Sequence, residues 1–174
     1  MMKFMKKLYF IRHGLTEMNV LGLRAGSTET PLTAEGRLQA KKAGKKVKAL
    51  KIDLIVSSSQ GRAVETANII AEQISYPLSK IQTNDILIER HLGEAEGQKY
   101  HPHTDVEKVA GVEPATAIIE RASQSLIWLN TLPAQNILIV SHGSFGRAMR
   151  SLLQPEYQFN DPEPILNAQI IRWL

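Results

Sequence analysis

The chain contains no cysteine. Disulfide staples and thiolate nucleophiles are therefore excluded, and a reducing compartment suits the protein. Aromatic residues make up only 6% and do not interleave with the basic ones, so no base-stacking platform is evident. No apolar stretch approaches the roughly 18 residues of a membrane span. Met1 to Lys7 is short and charged, unlike the apolar segment of a secretory signal. No low-complexity tract or linker divides the 174 residues, which fit one domain over 1–174. Together these absences point to a cytoplasmic globular protein that needs no membrane.

What the chain does have is positive charge, a net +4 at neutral pH. Much of it lies in one predicted helix, as Lys41, Lys42, Lys45, Lys46 and Lys48. Gly36, Ala40, Ala43, Val47 and Leu50 recur at helical spacing on the opposite side. The lysines thus read as a solvated face, and no nucleic-acid partner is expected. What remains is a general attraction for small anions.

Two stretches nearly repeat each other: Leu-Tyr-Phe-Ile-Arg-His-Gly at 8–14 and Ile-Leu-Ile-Val-Ser-His-Gly at 137–143. Continuous apolar runs of this length suit strands buried on both faces. Strands are predicted at 7–12, 54–57, 86–89 and 137–141, with an edge strand near 168–173. Helices are predicted at 34–50 (capped by Thr33), 61–74 (capped by Ser58 or Ser59), 114–131 and 144–153. Segments 14–33, 92–112 and 154–167 read as irregular. Alternating strands and helices imply an α/β fold, a mostly parallel sheet covered on both faces.

In such a sheet, ligands bind beyond the carboxyl ends of the strands. Arg12 and His13 follow the first strand, Arg62 opens the helix after the second, and His142 and Gly143 follow the strand at 137–141. Two guanidinium forks and two imidazoles are thereby delivered to one rim, a set suited to a phosphate dianion. The helix beginning near Ser144 adds N–H groups and the positive end of its dipole. A neutral, oriented histidine is also a competent nucleophile, and nearby arginines disfavour its protonation. Protonating a leaving oxygen requires an acid, and Glu89 has the right placement. His91, His101 and His103 lack carboxylate partners at metal-ligand spacing and read as loop residues.

These residues, taken with others, resemble the histidine phosphatase superfamily, the phosphoglycerate mutase-like proteins. The resemblance rests on five blocks in family order: Arg12-His13-Gly14 with Thr16 and Asn19; Pro31-Leu32-Thr33 with Gly36, Gln39 and Ala40; Ser57-Ser58 with Arg62, Ala63, Thr66 and Ala67; Leu87, Glu89, Gly93, Glu96 and Gly97; and Ser141-His142-Gly143. It implies a three-layer α/β/α sandwich with one antiparallel edge strand and a small cap. It implies that His13 is phosphorylated, that Arg12, Arg62 and His142 hold the phosphoryl group, and that Glu89 serves as acid and then base. Asn19 and the Gly143 backbone would add hydrogen bonds. Thr16, Arg24 and Ser58 are further substrate-binding candidates, although Leu23 stands where the family usually has its arginine, with Arg24 one place on. No metal or organic cofactor is implied.

The expected activity is hydrolysis of a small phosphorylated metabolite by a monomer or homodimer. A mutase must shield its phosphorylated intermediate from water, and only about one helix and a loop are available as a cap. Mutase-type phosphotransfer, removal of phosphate from protein phosphohistidine, and a catalytically weak phosphate-binding module are the alternatives.

Overall fold

A computed structural model describes residues 6–101, 105–161 and 163–174. The apolar runs pair into one five-stranded sheet. Its strands are β1 (Lys7–Arg12), β2 (Leu54–Ser57), β3 (Gln82–Thr83), β4 (Asn136–Ser141) and β5 (Ile170–Arg172). Their spatial order is β3-β2-β4-β1-β5. The first four are parallel, and β5 closes the edge antiparallel to β1.

Successive side chains of a strand point to opposite faces, and here both faces are covered. Leu8, Phe10, Ile137 and Ile139 face helices α4 (Ala115–Thr131) and α5 (Gly143–Leu153). Tyr9, Ile11, Leu138 and Val140 face α2 (Ala34–Val47) and α3 (Gly61–Gln73). This is why the strand runs are apolar without alternation. Each such side chain removed from water contributes about 1.5–3 kcal/mol. The expected mostly parallel, three-layer arrangement with an antiparallel edge is the one observed.

The four lysines of α2 and Lys48 just after it are all exposed, while Gly36, Ala40, Ala43, Gly44 and Val47 are buried. The α2 helix stops at Val47, and Lys48–Leu50 tightens into a 3₁₀ turn. The segment read as irregular holds a short helix, α1 (Glu17–Val20). Thr16 and Asn19 close a reciprocal capping box at its start.

Two local expectations fail. The α3 helix is not capped by Ser58 or Ser59: its N-cap is Gln60, with no side-chain cap bond. Those hydroxyls are used elsewhere, Ser58 on His142 and Ser59 on Asp85. The strand expected over 86–89 is also absent. Asp85–Leu87 forms a 3₁₀ turn capped by the Asn84 side chain, and the third strand is the two-residue β3. Leu87 supplies the apolar signal by entering the core, fully buried, without any sheet partner for its segment.

Candidate active site

The register of the two central strands assembles the site. Arg12 pairs with Ser141, so the residues that follow, His13 and His142, emerge side by side. Their ring centroids are 5.2 Å apart and tilted by 60°. Both are buried. Gly14 is required beside His13: a Cβ there would lie 2.4 Å from the Gly36 carbonyl oxygen of α2.

The proton positions follow from the partners. His13 Nδ1 lies 2.8 Å from the Gly14 carbonyl, which can only accept. Nδ1 therefore carries the proton and Nε2 keeps its lone pair. His142 Nε2 lies 2.8 Å from Ser58 Oγ. Ser58 Oγ already accepts from the Gln60 amide at 3.2 Å. Among the described residues its own proton has one acceptor in reach, His142 Nε2, so we assign the His142 proton to Nδ1. That Nδ1 is buried with no partner among the described residues.

Burial is the largest cause that holds both imidazoles well below the ordinary histidine pKa. For His13 the charges of Arg12 and Arg62 act in the same direction. For His142, His13, Arg62 and Arg12 do so. Both rings are neutral near pH 7.

Two guanidinium groups flank them. Arg12 donates to the Ile165 carbonyl at 2.9 Å. Arg62, 1% exposed, donates to the carbonyls of Gly26 at 2.7 Å and Thr28 at 2.9 Å. The Nε of each is buried without a partner among the described residues. Burial lowers the pKa of both, and Glu89 opposes it in each. A guanidinium nonetheless stays charged in a protein.

The loop that accepts from Arg62 is held in turn by Glu96. This carboxylate accepts from the backbone and hydroxyls of Ser27 and Thr28 and from the Leu92 amide. Burial alone would raise its pKa, but those hydrogen bonds outweigh burial and lower it to about 2. Gly26 sits at φ +51° against it, where a Cβ would strike the Glu96 carboxylate.

Glu89, in the segment after the 3₁₀ turn, borders the same cleft as His13. Its Oε1 accepts from the Arg90 and Phe145 amides at 2.9 and 3.0 Å, and its Oε2 from the Ser144 amide at 3.1 Å. The start of α5 thus receives a carboxylate, a favourable end for a helix dipole. This corrects the expectation that those N–H groups stand free for a bound anion. The Gly143 amide does stand free among the described residues.

One cleft of about 940 Å³ opens over this site. Arg12, His13, Asn19, Arg24, Arg62, Glu89 and Gly143 all border it. Asn19 spends its Oδ1 on the Thr16 amide at 3.2 Å and on Asn167 at 3.3 Å. Arg24 stacks over Tyr100 at 5.0 Å and donates to the Lys99 carbonyl at 2.8 Å.

His142, Thr16 and Ser58 do not border the cleft; His142 is fully buried behind His13. The Thr16 hydroxyl is consumed in capping α1, and that of Ser58 in orienting His142. His91 and His101 are exposed, and His103 lies outside the described residues. Among the described residues no cluster of three or more histidine, aspartate or glutamate side chains could hold a metal. None of their helices is long and apolar enough to cross a membrane.

Several contributors escaped the sequence reading. Gln60 accepts from the Glu89 amide at 2.8 Å and donates to the Gly26 carbonyl at 3.3 Å, linking both walls. Asn167 donates to the His13 carbonyl at 2.9 Å. Arg147 of α5 borders the cleft, and burial is the largest cause lowering its pKa. The one available signal was for Arg147, a charged residue between buried positions of a helix that starts at the site.

The model of the histidine phosphatase superfamily (branch 1) matches residues 8–172. The chain is 34% identical over 166 residues to an uncharacterized phosphatase, PhoE, of Bacillus subtilis, covering 91% of this chain and 81% of that one. It is 29% identical over 163 residues to a putative phosphoserine phosphatase 2 of Hydrogenobacter thermophilus, covering 86% and 79%. In fold it is similar to YhfR of Bacillus stearothermophilus, with a TM-score of 0.82 at 24% identity over 96% and 90% of the two chains. The chain belongs to the histidine phosphatase superfamily and is a phosphatase of it.

Proposed function

We propose that the protein hydrolyses a small phosphorylated metabolite through a phosphohistidine at His13. The observation that carries this reading is the tautomer of His13. Its proton faces the Gly14 carbonyl, so Nε2 keeps its lone pair, and the charges of Arg12 and Arg62 disfavour protonation of the ring.

The phosphoryl oxygens would be held by Arg12, Arg62, His142 Nδ1–H and the Gly143 amide, with Asn19 and Arg24 further out. Each donor is fixed before the substrate arrives, so little reorganisation accompanies the reaction. His13 Nε2 attacks phosphorus in line, and the P–N bond forms as the P–O bond to the leaving group breaks. Glu89 gives its proton to the departing oxygen. Its Oε2 takes only one amide and has capacity left for that proton. Glu89 then takes a proton from water, which attacks the phosphohistidine and releases phosphate. Electrostatic stabilisation by the arginines supplies most of the acceleration, as expected for phosphoryl transfer.

Hydrolysis is favoured over mutase chemistry by the short cap. Between Glu89 and β4 the described residues form only α4 and loop with single 3₁₀ turns. Such a cover leaves the intermediate open to water. We place the protein in the cytoplasm, as a monomer or homodimer.

The test is turnover of p-nitrophenyl phosphate and its inhibition by vanadate. Activity that vanadate blocks is expected. Absence of turnover, with phosphate still bound, would leave a phosphate-binding module.

A further inference from the structure

The segment that carries Glu89 has no strand partner among the described residues, so its backbone groups must be satisfied in another way. One side chain takes most of its carbonyls, that of Leu87 going to Ser141 Oγ. Arg121 of α4 donates to the carbonyls of Ile86 at 3.1 Å, Ile88 at 2.7 Å and Glu89 at 3.4 Å. Its guanidinium is held in a two-point pair by Glu113, with Nε to Oε1 at 3.0 Å and a terminal nitrogen to Oε2 at 2.8 Å. Both side chains are mostly buried, 17% and 13% exposed. The guanidinium also lies over the Phe145 ring at 4.9 Å. The Phe145 amide in turn holds Glu89 Oε1.

Glu113 extends the same network. Its backbone amide donates to the His91 carbonyl at 2.9 Å, and its carbonyl accepts from Arg90 Nε at 2.7 Å. The residues on both sides of Glu89 are thus anchored to one ion pair behind them. The amides of α5 hold the carboxyl in front.

We propose that Arg121 and Glu113 are positioning residues that set the depth of Glu89, and thereby the efficiency of proton transfer to the leaving oxygen. Neither borders the cleft. The proposal rests on the assignment of Glu89 as the general acid. A general acid works only within hydrogen-bond reach, and a misplacement of about 1 Å costs on the order of a hundredfold. A bidentate guanidinium in a half-dry setting is stiff enough to impose such precision, and lysine cannot reproduce its fork.

The readout is dependence on the leaving group. p-Nitrophenolate departs with little help from a proton, whereas the alkoxide of glycerol 2-phosphate needs one. Arg121→Met is expected to lower kcat on glycerol 2-phosphate about tenfold or more beyond its effect on p-nitrophenyl phosphate. Glu113→Gln keeps the shape of the side chain and is expected to show the same bias more weakly. Arg121→Lys should recover only part of the loss. In the Glu89→Gln background, Arg121→Met should add nothing further on glycerol 2-phosphate, because its effect runs through Glu89.

Equal losses on both substrates, or additive losses with Glu89→Gln, would overturn the proposal. Folding is monitored by thermal melts; should Arg121→Met fail to fold, the Glu113→Gln bias decides. If Glu89→Gln itself shows no leaving-group bias, the assignment of Glu89 fails instead. A bias with Glu89→Gln but none with Arg121→Met or Glu113→Gln removes the clasp alone.

Discussion

The two walls of the cleft are built by different means. The histidine wall comes from sheet register: once β1 and β4 pair, His13 and His142 have no choice but to adjoin. The glutamate wall has no register at all. Glu89 follows a 3₁₀ turn, and its segment is held by the side chains of Gln60 at the N-cap of α3, Arg121 of α4 and Ser141 of β4. The nucleophile thus stands on a rigid element, and the proton donor on a segment suspended by hydrogen bonds. Phosphoryl transfer needs a fixed acceptor and fixed charges.

The largest expected effect falls on the register-built wall. His13→Asn should lower kcat on any phosphomonoester by about a thousandfold or more, because no other described group in the cleft offers a neutral imidazole lone pair. Steady-state assays on p-nitrophenyl phosphate check this. On the opposite wall, Glu89→Gln should cost about a hundredfold to ten-thousandfold on alkyl phosphates and distinctly less on aryl ones. Equal sensitivity of both walls to the leaving group would erase the contrast between them.

Ser58→Ala sharpens the comparison within the histidine wall. It frees His142 to change tautomer and leaves a buried nitrogen unpaired, at about 1–3 kcal/mol. A fall in kcat/KM of roughly tenfold to a hundredfold is expected, with binding of phosphate weakened, as titration calorimetry can measure.

Acid should also act on the histidine wall. Both imidazoles have folded-state pKa values held well below the ordinary one, chiefly by burial. The unfolded chain therefore binds more protons. Stability from this source is full above about pH 6.5 and falls as pH drops below it, by up to about 1.4 kcal/mol per pH unit for each ring. Urea melts between pH 7.5 and 5 would reveal the slope, and it should flatten in His142→Gln. The smallest effect is reserved for α2. Lys42→Gln with Lys46→Gln should change stability by less than about 0.5 kcal/mol and leave turnover intact, since both lysines are exposed.

The same division governs what could be read from the residues alone. Buried parallel strands announce themselves as unbroken apolar runs, so β1, β2 and β4 and the residues at their ends were legible. Arg12, His13, Arg62 and His142 meet for that reason. The Glu89 segment carried a misleading signal: Ile86, Leu87 and Ile88 look like a strand, yet of the three Leu87 alone is fully buried, and no strand among the described residues pairs with them. Its supports come from Gln60 and Arg121, side chains distant in sequence whose partners are backbone atoms. Backbone partners leave no pattern of residue types. Ser58, expected to bind substrate or cap α3, does neither and instead orients His142, a role that the same hydroxyl does not distinguish in the sequence.

The most direct measurement is identification of the phosphorylated residue. The protein is mixed with p-nitrophenyl phosphate, quenched within milliseconds in base, and digested for mass spectrometry. Expected is one phosphoryl group on His13, labile to acid and absent from His13→Asn. Turnover at the full rate by His13→Asn, or a phosphoryl group on any residue other than His13, would contradict the central claim.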